Sequence, residues 1–148
     1  MEKKTIHKVD DIIAWQKAKQ LALLMYKITN NDKFSKDFGL KDQIRRASVS
    51  IVSNIAEGYG RGGNKEFMQF LYIANGSLNE LYTQFIIAVE LNYISKEESE
   101  TILPQINDCF KLTGSFINYM KNSEYKGSKF KEPEEQYGFS VDQLLSED

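Results

Sequence analysis

One histidine and one cysteine among 148 residues leave almost nothing from which to build a metal centre or a nucleophilic triad. His7 stands ahead of the first helical pattern and Cys109 falls on an apolar face, so neither a Ser-His-Asp nor a Cys-His arrangement can form in a credible place. A di-iron bundle needs Glu-x-x-His pairs on its inner helices, and no such pair exists. The lone cysteine also excludes an internal disulfide and, with a lone histidine, a structural zinc site. Two prolines and nine glycines leave no room for a long low-complexity segment. No apolar run approaches the roughly 20 residues of a membrane helix. The opening MEKKTIHKVDD has cations without the apolar stretch of a secretory signal. These absences predict a cytoplasmic protein with no membrane contact, no cofactor, no metal and no catalytic residues.

What is present is ordinary in amount and uneven in placement. Hydrophobic residues make up 41% and charged residues 27%, as in a soluble domain large enough for one core. The net charge of -2 conceals two halves of opposite sign. Residues 1–32 carry six basic and four acidic side chains, and residues 33–65 seven and three. Residues 66–93 carry none and three, and residues 94–148 six and eleven. A basic half beside an acidic half suits a nucleic-acid contact or the docking of one subunit on another, and docking or plain solvation is the better expectation.

Four segments show helical periodicity. The first, about Asp10 to Thr29, opens on Asp10 or Asp11 as N-cap and turns Ile12, Trp15, Ala18, Ala22, Met25 and Ile28 inward. The second, about Phe38 to Glu57, has Leu40, Ile44, Ala47, Ile51 and Ile55 inward, with Gly58 where a left-handed C-terminal cap belongs. The third starts at an Asn64 cap. Its Phe67, Leu71, Ala74, Leu78, Leu81, Phe85 and Ala88 alternate steps of four and three, the seam of a helix facing partner helices. Asn75-Gly76 is a turn signal inside that seam. The unbroken register keeps the helix continuous, with Gly76 against another backbone and Ala47, Ser48 and Ser50 as matching small residues.

In the fourth segment Ser95 and Glu98 form a capping box, followed by Ile102, Ile106, Cys109, Thr113, Phe116 and Met120 at helical spacing. Pro104 is expected to kink it or loosen its first turn. Short connections then predict an all-α protein, an antiparallel up-down-up-down four-helix bundle over residues 1–122. Residues 123–148 form an acidic C-terminal tail, loosely ordered or docked through Phe139, Val141, Leu144 and Leu145.

Between the second and third patterns lies EGYGRGGNKE, in which Gly58, Gly60 and Gly63 satisfy the letters G-x-G-x-x-G. A dinucleotide loop needs a strand before it, and here a helix precedes it, so the stretch reads as a helix–helix turn. Glu57 at the end of a helix opposes the helix dipole and calls for a cation such as Arg61 or Lys65, or one from another subunit.

The run Gln43-Ile44-Arg45-Arg46-Ala47-Ser48-Val49-Ser50-Ile51-Val52-Ser53-Asn54-Ile55-Ala56-Glu57-Gly58, then Phe67, Phe70-Leu71 and Gly76-Ser77-Leu78-Asn79-Glu80-Leu81, closely resembles the bacterial four-helix bundle family. That family is also called the 23S ribosomal RNA intervening-sequence protein family, and it includes relatives of the accessory variability protein of diversity-generating retroelements. The resemblance spans roughly Asp10 to Met120, with Val52 where many members carry proline. It implies a ring-forming homo-oligomer, typically a pentamer, with an RNA or nucleoprotein partner such as a reverse transcriptase and without established catalysis. The retroelement proteins are markedly basic, whereas this chain has a pI near 5.5.

On that reading Lys41, Arg45, Arg46, Arg61 and Lys65 are the candidate phosphate contacts, with Tyr59 as a candidate base stacker, while Asn54, Glu57, Gly58 and Gly76 are structural. The competing expectation is a protein–protein adaptor with no nucleic-acid contact. Apolar surface in excess of one core, including Phe70, Tyr72, Tyr82 and Phe85, predicts the oligomer.

Overall fold

A computed structural model describes residues 5–122; the proposed tail, 123–148, lies outside the described residues. Four helices account for most of it: α1 (Ile13–Ile28), α2 (Phe38–Gly60), α3 (Asn64–Glu90) and α4 (Lys96–Asn122), with single 3-10 turns at Val9–Asp11 and Phe34–Lys36. No strand occurs among the described residues. Each helix packs on its sequence neighbour and α1 also on α4, the closed circuit of an up-down-up-down bundle. The direction of α2 against α3 is fixed by cross-helix contacts. Gln43 meets Gln84, Ser50 meets Ser77 and Gly58 meets Phe70, so one number rises as the other falls.

The inward seams are largely those the spacing predicts. All seven residues of the α3 seam and all six of the α4 seam are buried, and Phe67 stacks on Phe116 with ring centres 5.0 Å apart. In α1 the core residues are Ala14, Ala18, Leu21, Ala22, Met25 and Ile28, while Trp15 is only half-buried. Leu40 in α2 is likewise half-buried. Phe85, expected to feed an oligomer surface, lies in the core, and Tyr82 packs partly against it.

The ends differ more. The helix α1 starts one or two residues later than its cap signal, Asp10 or Asp11, suggests. Asp11 instead accepts backbone N–H bonds from His7 and Lys8 at 3.0 and 3.2 Å, which closes the preceding 3-10 turn, and Ile12 is the N-cap. Gly63, not Asn64, precedes α3. The Ser95–Glu98 box is present as read, with Glu98 N donating to Ser95 Oγ at 3.1 Å and Ser95 N to Glu98 Oε1 at 3.2 Å. The α4 helix continues through Pro104, which has no N–H to give the Glu100 carbonyl. Between α3 and α4 the chain reverses with Asn92 at φ 61°.

Two glycines are placed differently from their sequence reading. Gly58 is not a left-handed cap but a helical residue within α2; the positive φ falls on Gly62, at 81°. A Cβ on Gly58 would sit 2.7 Å from Phe70 Cβ and 3.2 Å from the Phe67 carbonyl oxygen, so glycine is what lets α2 and α3 close on each other before the turn. Gly76 does lie in a continuous α3, yet it faces outward and a Cβ there meets nothing within 4 Å. The close α2–α3 contact predicted for it is made one residue on, where Ser77 and Ser50 share a 2.8 Å hydrogen bond.

Candidate nucleic-acid interface

The five candidate cations do not form one strip. Lys41, Arg45 and Arg46 lie in the first half of α2, and Arg61 and Lys65 flank the turn at its far end, roughly 22 Å along the axis from Arg46 to Arg61. Any phosphate contact therefore divides into two clusters at opposite ends of the bundle.

Within the first cluster Arg45 and Arg46 point to different duties. The Arg45 side chain crosses to the end of α1, where Nε donates to Thr29 Oγ1 at 2.8 Å. Its Nη2 donates to Asn30 Oδ1 at 2.9 Å and to the Tyr26 carbonyl at 3.3 Å. The guanidinium also lies over the Tyr26 ring, 4.5 Å from its centre. Thr29 is fully buried, and its hydroxyl donates a hydrogen bond to the Met25 carbonyl at 2.7 Å. A cation at the C-terminus of α1 also complements its dipole. Arg45 thus fastens α1 to α2 through Nε and Nη2. Arg46, by contrast, extends into solvent beside Asp42 at 2.9 Å, an exposed i,i+4 pair of small worth. Lys41 Nζ lies 5.5 Å from the Phe38 ring centre, a side chain that is 74% exposed.

At the other end the Glu57 carboxylate finds the cation it calls for. Arg61 Nε and Nη2 both reach Glu57 Oε1 at 2.9 Å, and the guanidinium covers the Phe70 ring at 5.4 Å. Tyr59 is not a free stacking platform, since it is half-buried and meets Phe67 edge-on at 6.2 Å. Lys65 is exposed at the start of α3 and has no ion pair among the described residues. Asn54 bridges within α2, donating from Nδ2 to the Ser50 carbonyl at 2.8 Å and to its hydroxyl at 3.0 Å, beside the Ser50–Ser77 bond.

A second polar cluster ties the opposite loops together and has no periodic signal in the sequence. Asn31 Nδ2 donates to the Tyr93 carbonyl at 2.8 Å, its Oδ1 accepts from Phe34 N, and Tyr93 Oη donates to Asp37 Oδ2 at 3.1 Å. Asp37 also caps α2 through Leu40 N. The hydrogen bond to the Asp37 carboxylate pushes the Tyr93 phenol above its ordinary pKa of 10.0.

Groups able to do covalent or metal chemistry are scarce in this geometry. Cys109 is buried, and burial pushes its thiol up to about 12, away from the reactive thiolate. No cluster of three His, Cys, Asp or Glu suited to a metal occurs among the described residues. No helix among them is long and apolar enough to cross a membrane.

The fold and this surface define an all-α four-helix bundle protein whose candidate cations stand in two separate clusters. Residues 10–115 match the family model of the 23S rRNA-intervening sequence protein. The chain belongs to that family. It is similar to a protein of unknown function from the S23 ribosomal protein family of Bacteroides thetaiotaomicron VPI-5482, at 28% identity with a TM-score of 0.65, over 71% of this chain and 98% of that one. No curated protein matches it.

Proposed function

We propose that the protein is a non-enzymatic homo-oligomeric scaffold, a pentameric ring, offering Lys41 near the start of α2 and Lys65 at the start of α3 to an RNA or nucleoprotein partner in the cytoplasm. The observation that carries the oligomer is exposed apolar surface. Ile13, Leu23 and Tyr26 on α1, Phe38 and Val49 on α2, Tyr72, Ile73 and Ile87 on α3, and Leu91 are each at least 40% exposed. Ile73 and Ile87 on α3 and Val49 on α2 stand on outward helix faces that a second copy would cover.

The RNA contact rests on Lys41 and Lys65, with Arg46 and Arg61 able to leave their exposed carboxylate partners. The bonds of Arg45 to α1 favour a structural role for that side chain over a phosphate contact. Each neutralised phosphate releases counterions, so affinity for single strands falls with salt at a log–log slope of about 0.7 per contact, and a ring multiplies weak contacts by avidity. Fluorescence anisotropy with a labelled RNA, on wild type and on Lys41→Gln/Lys65→Gln, tests this. A flattened slope in the variant supports the contact. A wild type without salt-sensitive binding near about 50 mM salt removes it. The occupation of Arg45 by groups of α1 favours the second reading, a protein-binding adaptor without nucleic acid.

A further inference from the structure

We infer that the outward faces of α2 and α3 form the contact between subunits, the α2 face of one copy packing on the α3 face of another. This rests on the homo-oligomeric reading above and names its interface. Behind its core seam, α3 carries a second heptad-spaced line, Gln69, Ile73, Gly76, Glu80, Thr83 and Ile87, in steps of four, three, four, three and four. All six are exposed. The α2 helix repeats the same steps on its outer face with Asp42, Arg46, Val49, Ser53, Ala56 and Gly60, all exposed except the half-buried Ala56.

Three features say what covers these lines. Gly76 is unfavourable in a helix interior, and nothing in its own protomer requires it, since a Cβ there meets open space. A second helix lying close against α3 supplies the missing reason. Next, Ser53, Ala56 and Gly60 make that end of the α2 line shallow, which admits a projecting side chain such as Ile73. Finally, only Asp42, Arg46 and Glu80 of the twelve positions are charged, as in the centre of an interface, and the surrounding segments have opposite sign. Residues 33–65 hold seven basic and three acidic side chains, and residues 66–93 hold none and three. The two lines do not meet within one protomer, because the α2–α3 contact there uses Ser50, Ser77 and Gly58 instead. A second copy of this chain carries both a basic segment and an acidic one, and is the occupant to which this complementarity points.

The test is light scattering across a dilution series on wild type, Gly76→Arg, Val49→Arg and, as a control on α4, Asp108→Arg. We expect both seam variants to weaken association by at least about tenfold with helix content unchanged by circular dichroism, and the control to assemble normally. Glu80→Arg should also weaken it, and combining Glu80→Arg with Arg46→Glu should restore part of the loss. An oligomeric wild type whose mass survives both Gly76→Arg and Val49→Arg overturns this interface and leaves the scaffold standing. A wild type with the mass of one chain overturns both.

Discussion

Gly58 and Gly76 are both glycines inside regular helices, and they stand in opposite surroundings. At Gly58 the protomer itself leaves no room for a methyl group, because Phe70 Cβ and the Phe67 carbonyl oxygen are in the way. At Gly76 there is nothing within 4 Å. The first glycine is explained by the bundle and the second is not, which separates what the single chain needs in order to fold from what its outer surface is shaped for.

Substitutions at the two positions should therefore differ in kind. Gly58→Ala should cost about 2 kcal/mol of stability, since neither a backbone oxygen nor the Phe70 Cβ can give way easily. Urea unfolding measures this, and a variant as stable as wild type would mean the helices separate at no cost. The next largest effect separates two arginines that are neighbours in sequence. Arg45→Ala should lose about 1–2 kcal/mol along with its bonds to Thr29 and Asn30. Arg46→Ala should lose under about 0.5 kcal/mol, because its pair with Asp42 is exposed. Equal effects in urea unfolding would show that Arg45 does not fasten α1.

Gly76→Ala should raise protomer stability by up to about 1 kcal/mol, measured at a dilution where scattering shows a single chain. A loss there would place the glycine against something in its own protomer.

Two smaller effects come from titrating groups. Tyr93 has its phenol pKa raised by Asp37, so the neutral form is the one the fold favours. Its contribution is present below the unfolded value near 10 and is lost as pH rises through the folded value. Tyr93→Phe should flatten stability over that alkaline range, as thermal melts between about pH 9 and 11 would show. Cys109, with its thiol held near 12, should resist alkylation at neutral pH until the chain unfolds. Rapid labelling of the folded protein would contradict the burial.

Periodicity made the bundle legible because a seam of four and three steps has few other uses. The six apolar and small residues of α4 and the seven of α3 were visible for that reason. The ends were less legible. Asp11 looks like a helix cap, but its carboxylate closes the turn before the helix, and a cap signal does not say which of two adjacent turns it serves. Gly58 looks like a C-cap because glycine serves left-handed turns and close approach equally well, and only the position of Phe70 decides between them. The cations were legible as a list but not as a surface. Nothing in the spacing of Arg45 and Arg46 shows that one reaches Thr29 and Asn30 across the helix pair while the other points to solvent. The Asn31–Tyr93–Asp37 link joins residues far apart in sequence, and no local pattern announces it.

The contrast between the two glycines comes down to whether a second copy occupies the open side of α3. Light scattering at micromolar concentration measures that directly against a chain mass of 17.1 kDa. The account predicts a whole-number multiple of that mass for wild type, falling toward one chain in Gly76→Arg. A wild-type mass of one chain throughout the dilution series would contradict it.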